Sequence, residues 1–97
     1  MTRWFVYILF CDGKTFYVGI TDDLERRVSQ HKNKYSTFTK KFFHIELVYS
    51  EQLASRNEAE NREKQLKGWS VAKKKALIAG DKASLVKLSK STGFVEV

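Results

Sequence analysis

Two stretches of this sequence hold polar residues where helical spacing calls for apolar ones. In the first, Leu24, Val28 and His31 share one face, and Arg27 lies at its edge, four residues before His31. The adjacent Arg26 points to the opposite, solvated side. The chemistry on offer is a guanidinium and an imidazole at the margin of an interior. A structural ion pair for Arg27 and a hydrogen-bonded core histidine are the competing readings. In the second stretch, Ala59, Glu63 and Leu66 stand at i, i+4 and i+7, so a carboxylate occupies an apolar position. A carboxylate partly removed from water needs a compensating positive charge, and a metal ion or Arg27 would supply it. An ion pair with another Arg or Lys, or a helix turned to expose Glu63, would also do. Glu58 and Glu60 lie off the stripe and read as solvated charges. Two phenols, Tyr7 and Tyr17, sit in aromatic runs; each alone suits a core or a sheet surface as well as a catalytic role.

The elements that must position these groups follow from local pattern. Trp4 to Phe10 is aromatic and β-branched throughout, as in a strand covered on both faces. Cys11-Asp12-Gly13-Lys14 is a turn whose Asp-Gly supplies positive φ. Thr15 to Ile20 returns as an antiparallel strand, which sets Tyr7 beside Tyr17 within about one residue of register. Thr21 or Asp22 caps a helix running to about Lys32. A polar loop from Asn33 to Lys41 leads to a third strand, Phe43 to Tyr49. Ser55 or Asn57 starts a second helix that ends near Gly68. Ser70 caps a third, Val71 to Ala79, stopped by Gly80, and a last short helix spans Lys82 to Lys90. The order is β-β-α-β-α-α-α, an α/β (α+β) chain.

Composition narrows the partners. The 97 residues suit one domain, 1–97, and the hydrophobic share of 42% is too high for a disordered tail. A net charge of +7 points to a polyanion, nucleic acid above all. Membrane attachment is not expected, because no helix pattern joins a wide apolar face to a basic one. The apolar run near the start is too short to span a bilayer, and no small-residue cleavage site follows it. The single cysteine, Cys11, permits no internal disulfide, which fits a cytoplasmic location, and reads as an inert strand-end residue.

Phe5-Val6-Tyr7, Tyr17-Val18-Gly19, Leu24-Glu25-Arg26-Arg27 with His31, and Glu58-Ala59-Glu60-Asn61-Arg62-Glu63 together resemble the GIY-YIG nuclease signature. The second tyrosine is followed ten residues later by the family's arginine, here Arg27. The likeness covers roughly residues 5–68. The helices over 70–90 resemble those of small stand-alone bacterial members, which are similar to the N-terminal domain of the excision-repair nuclease subunit. Phe5 and Val6 depart from the Gly and Ile of the name, no separate DNA-binding domain is visible, and the loop before the third strand lacks a proline.

What the resemblance implies is a three-stranded antiparallel sheet flanked by helices and a metal-dependent DNA nuclease, endonuclease or exonuclease, acting in DNA repair or recombination. Glu63 would hold one Mg²⁺ or Mn²⁺. Arg27 would neutralise the phosphate. Tyr7 would act as general base if nearby cations lower its pKa, Tyr17 would orient water or phosphate, and His31 would relay a proton. Gly19 would allow close backbone approach. Lys32, Lys34, Lys40 and Lys41, and Lys73, Lys74 and Lys75, would track DNA, branched or single-stranded. A non-catalytic nucleic-acid module, or a domain docking onto a repair protein, would use the same fold.

Overall fold

The computed structural model describes residues 3–33 and 41–81 of the chain. It divides into two compact units, residues 1–67 and 68–97. The expected last helix, and Lys34 and Lys40, lie outside the described residues.

In the first unit a three-stranded antiparallel sheet has the order β2-β1-β3. The central strand is β1 (Trp4–Cys11), whose Val6, Tyr7, Ile8 and Leu9 are all buried. That is why its residues do not alternate with polar ones: neither face meets water. Asp12 and Gly13 carry φ values of 52° and 69° in the turn to β2 (Thr15–Thr21), and the Lys14 N–H closes it onto the Cys11 carbonyl at 3.1 Å. Positive φ at successive turn residues matches the right-handed twist of the strands. Cys11 pairs with Thr15 across Asp12, Gly13 and Lys14, and this closure sets the register of the ladder. Tyr7 faces Gly19 and Tyr17 faces Leu9. The two tyrosines are thus diagonal neighbours on one face, two positions apart rather than one.

The third strand, β3, spans Ile45–Leu53 instead of Phe43 to Tyr49. Its start is displaced because the N–H groups of Phe43 and His44 donate to the Asp12 carboxylate, outside the ladder. Its end extends because Trp4, Phe5 and Val6 of the central strand pair with Leu53, Gln52 and Glu51. Ile8 pairs with Tyr49 and Leu9 with Leu47, leaving Val48 as the extra residue of a bulge.

Helix α1 (Leu24–Lys32) is capped by Asp23, whose side chain accepts from the Arg26 N–H, one residue beyond the expected cap. Thr21 shapes the approach instead, its Oγ1 accepting from the Asp23 N–H at 3.0 Å. Leu24 and Val28 pack against Tyr7, Leu9, Cys11, Phe42 and Ile45, so α1 covers the face shared by alternate β1 residues. Burying side chains of this size stabilises the unit by roughly 1.5–3 kcal/mol each. Cys11 lies within this core. Helix α2 (Arg56–Lys67) starts at Ser55, whose Oγ accepts from the Glu58 N–H, and buries Ala59 and Leu66. It lies over the opposite face, where Arg62 Nε donates to Glu51 at 2.8 Å. Beside that pair the Tyr49 hydroxyl is pushed up by burial and by Glu51, against the pull of Arg62.

In the second unit, α3 (Val71–Ala79) runs from a Ser70 cap to Gly80 at φ 72°. The Asp81 N–H returns to the Ala76 carbonyl at 2.9 Å, closing the last turn. Among the described residues no helix is long and apolar enough to cross a membrane.

Candidate active site

Four of the five expected chemical side chains meet on the α1 face of the sheet. Tyr7 comes from the central strand and Tyr17 from its partner. Arg27 and His31 descend from α1, one turn apart. The Tyr7 hydroxyl and His31 Nε2 are 2.8 Å apart, in a buried contact. Ring centroids lie at 6.2 Å for Tyr7–Tyr17, 5.7 Å for Tyr7–His31 and 5.1 Å for Tyr17–His31. The Arg27 guanidinium lies beside both phenols and donates through Nη1 to Gln30 at 3.1 Å. Gln30 is a partner of Arg27 that the apolar stripe does not reveal; its spacing of three from Arg27 is the local sign of it. Arg26 points away, paired with Asp22 and Asp23.

Gly19 makes this arrangement possible. A Cβ there would stand 2.5 Å from the Tyr7 hydroxyl oxygen and 2.7 Å from Tyr7 Cζ. The phenol rests where any other residue's side chain would begin.

Burial dominates the electrostatics. The Tyr7 hydroxyl is pushed up to about 12, because loss of water outweighs the stabilising guanidinium of Arg27. The expected lowering by nearby cations is therefore not found. One cation at the rim does not offset a phenol that is 1% exposed. His31, with no exposed surface, is drawn down to about 4 by burial and then by Arg27. Burial also draws on Arg27, but the phenols beside it prevail and raise it. At neutral pH the imidazole is uncharged and the phenol protonated, so the Tyr7 O–H donates and Nε2 accepts. Among the described residues no buried side-chain polar atom lacks a partner.

Glu63 is the exception to the convergence. It stands on α2, 24% exposed, with its carboxylate 3.3 Å from Lys67 of the same helix. The compensating charge is this lysine and not Arg27. The basic residues also sort themselves. Lys32, Lys41 and Lys75 are exposed and Lys74 is half-buried. Lys73 is 8% exposed, with its ammonium 4.3 Å over the Trp69 ring, so it does not present an open phosphate contact.

A hairpin carrying two phenols, crossed by a helix carrying Arg and His, defines a class of nuclease-type fold. The GIY-YIG catalytic domain matches residues 3–76, and the chain belongs to the GIY-YIG family. It is 37% identical over 78 residues to a UPF0213 protein of Natronomonas pharaonis, covering 79% of this chain and 92% of that one. A UPF0213 protein of Desulfotalea psychrophila is 38% identical over 77 residues, covering 77% and 70%. The solution NMR structure of a UPF0213 protein from Bacillus halodurans superimposes with a TM-score of 0.53 at 30% identity, covering 87% of this chain and 93% of that one.

Proposed function

We propose that this chain is a metal-dependent nuclease that hydrolyses a phosphodiester of DNA, in repair or recombination. What carries the reading is the junction of Tyr7, Tyr17, Arg27 and His31 in a chain of net charge +7 from this family.

The donor set bears on the metal. No three acidic, histidine or cysteine side chains gather among the described residues, and the carboxylate that the family motif puts forward as ligand is that of Glu63, on α2 apart from the Tyr7–His31 junction. A lone, partly exposed carboxylate fits Mg²⁺ or Mn²⁺, hard ions that keep several waters and add a substrate phosphate. Lys67, now 3.3 Å from that carboxylate, would give way to the ion. Such an ion, when bound, stabilises charge on the phosphate and the departing oxygen.

The other residues act directly. Arg27 holds the phosphate with its planar fork, and Tyr17 orients the attacking water. A phenol near 12 is not a standing base at neutral pH. Tyr7 works by exchange: its oxygen takes a proton from the water while its own proton passes 2.8 Å to His31 Nε2. The water oxygen forms the new P–O bond, and the ester oxygen leaves with the electron pair of the broken one and takes a proton from solvent. Burial keeps His31 neutral beforehand, and an arriving phosphate makes its protonation easier. Lys41, exposed on the first unit, contacts the backbone without reading sequence, and Lys75 offers the second unit an exposed charge of the same kind.

The test is cleavage of flapped, branched and single-stranded DNA with Mg²⁺ and Mn²⁺ by the wild type and Glu63→Ala. The variant is expected to fold as the wild type does and to cut nothing. Full nicking by Glu63→Ala would overturn the metal assignment. The deep burial of Tyr7 favours a second reading, a binding module without catalysis. It would appear as DNA retention by the wild type with no cleavage under either ion.

A further inference from the structure

Just before β3 the chain turns one aromatic ring inward and the next outward. Phe42 joins the core around Tyr7, Leu9 and Cys11, whereas Phe43 is 95% exposed. A scattered exposed phenylalanine needs no explanation. This one is clamped at its backbone. Asp12 Oδ1 accepts from the N–H of Phe43 at 3.0 Å and of His44 at 2.8 Å, and the Asp12 N–H donates to the His44 carbonyl at 2.8 Å. Asp12 does so from a left-handed backbone, φ 52°, uncommon for a residue with a side chain. Three hydrogen bonds to the hairpin turn, one from Phe43 and two at His44, thus hold this stretch of backbone, and the Phe43 ring faces water.

Beside the ring lies a surface concavity of about 300 Å³ lined by Lys32, Phe43, His44 and Ile45. That is the lower end of the range for small-ligand pockets. Its walls combine a flat apolar ring, an aliphatic side chain and positive charge. The His44 imidazole lies 3.9 Å from Glu46, and Lys32 brings an ammonium to the group. A π-face next to a cation is the composition of single-stranded nucleic-acid sites, where a base stacks on the ring and its phosphate meets the charge. A protein partner needs a far wider surface than one ring offers. The concavity adjoins the C-terminal end of the helix that carries Arg27 and His31, although Lys32 lies roughly 140° around the axis from Arg27. Lys32 follows His31 directly and stands five residues beyond Arg27 on α1, about 7–8 Å along the axis.

We propose that Phe43 is a stacking platform for an unpaired base, with Lys32 on the adjoining phosphate. The protein then engages a single-stranded or unstacked nucleotide next to the Arg27 site. This rests on the nucleic-acid reading above and adds the strand state of the substrate.

The experiment is fluorescence anisotropy of the full chain with a labelled oligothymidylate, an abasic oligonucleotide of the same length, and a duplex, in chelator so that nothing is cut. Phe43→Ala is expected to weaken binding of the oligothymidylate by roughly 5- to 150-fold, the factor matching one lost stacked base, and to leave the abasic strand unaffected. Phe43→Trp is expected to retain binding. Melting of both variants should match the wild type, since the ring is already in water. Equal affinity of Phe43→Ala and wild type for the oligothymidylate overturns the platform and leaves the nuclease reading standing. Equal losses on both strands overturn it as well. A wild type that binds none of the three DNAs overturns the nucleic-acid reading, and the platform with it.

Discussion

Replacing Gly19 with alanine tests the geometry of the site independently of any activity. The new Cβ would lie 2.5 Å from the Tyr7 oxygen, 2.7 Å from Tyr7 Cζ and 3.1 Å from Tyr17 Cε2. Nonbonded carbons prefer 3.5–4.0 Å, so the phenol must retreat by about 1 Å. It has little room, being 1% exposed, tilted against the Tyr17 and His31 rings and tied to Nε2 at 2.8 Å. Overpacking of this kind costs roughly 1–3 kcal/mol. Stretching the hydrogen bond until a buried imidazole nitrogen is unsatisfied costs roughly 1–3 kcal/mol more. The smaller chain entropy of alanine in the unfolded state returns roughly 0.4–1 kcal/mol. The net loss is about 3 kcal/mol, and each kcal/mol moves the midpoint of a domain this size by roughly 4–8 °C. Urea denaturation followed by circular dichroism reads it directly. Combining Gly19→Ala with Tyr7→Phe sharpens the test. The nearest clashing atom is then Cζ, and the hydrogen bond is already absent, so the glycine change should cost roughly 1–3 kcal/mol less than in the wild-type background. A Gly19→Ala protein as stable as wild type, or one with the same cost in both backgrounds, would refute the placement of the phenol against Gly19.

Three further outcomes are expected. His31 sits near 4 when folded and near its ordinary 6.5 when unfolded, so the unfolded state binds the extra proton. Stability should be full above pH 6.5 and fall between pH 6.5 and 4, by on the order of 3 kcal/mol, and a denaturation series in which His31→Gln shows the same slope would refute this. Tyr7 is displaced the other way, to about 12, so its contribution is full below pH 10 and lost between pH 10 and 12. Alkaline absorbance titration should show a phase near pH 12 that Tyr7→Phe removes, beside the raised Tyr49, which that variant leaves in place. Arg27→Ala should lower kcat/KM by about 2–4 kcal/mol of transition-state stabilisation if the nuclease reading holds, and single-turnover cleavage at the wild-type rate would exclude Arg27 from the chemistry.

Much of the architecture was legible locally. Helical periodicity alone selected Arg27 over Arg26 and put His31 inward, because position on a helix is set by 3.6-residue spacing and the apolar stripe names the buried side. Ser70 and Gly80 marked the ends of α3 because a hydroxyl cap and a left-handed glycine satisfy backbone groups within a few residues. The unbroken apolar run of β1 announced a strand covered on both faces, and it is the central one. The composition likewise carried the charge, and the ordered motifs carried the family.

What only the tertiary structure decided is non-local. Closure of the turn on the Cys11–Thr15 pair set Tyr17 two positions from Tyr7, since register depends on where a loop closes and not on strand propensity. The start of β3 was set by a carboxylate 31 residues away in sequence. The direction of the Tyr7 shift depends on how completely its surroundings exclude water, a sum over every packed neighbour that no single residue type encodes. The charge beside Glu63 and the ring stacked on Lys73 were settled by which of several available partners came within reach. Periodicity fixes which side of an element a residue occupies; only packing fixes what it meets there.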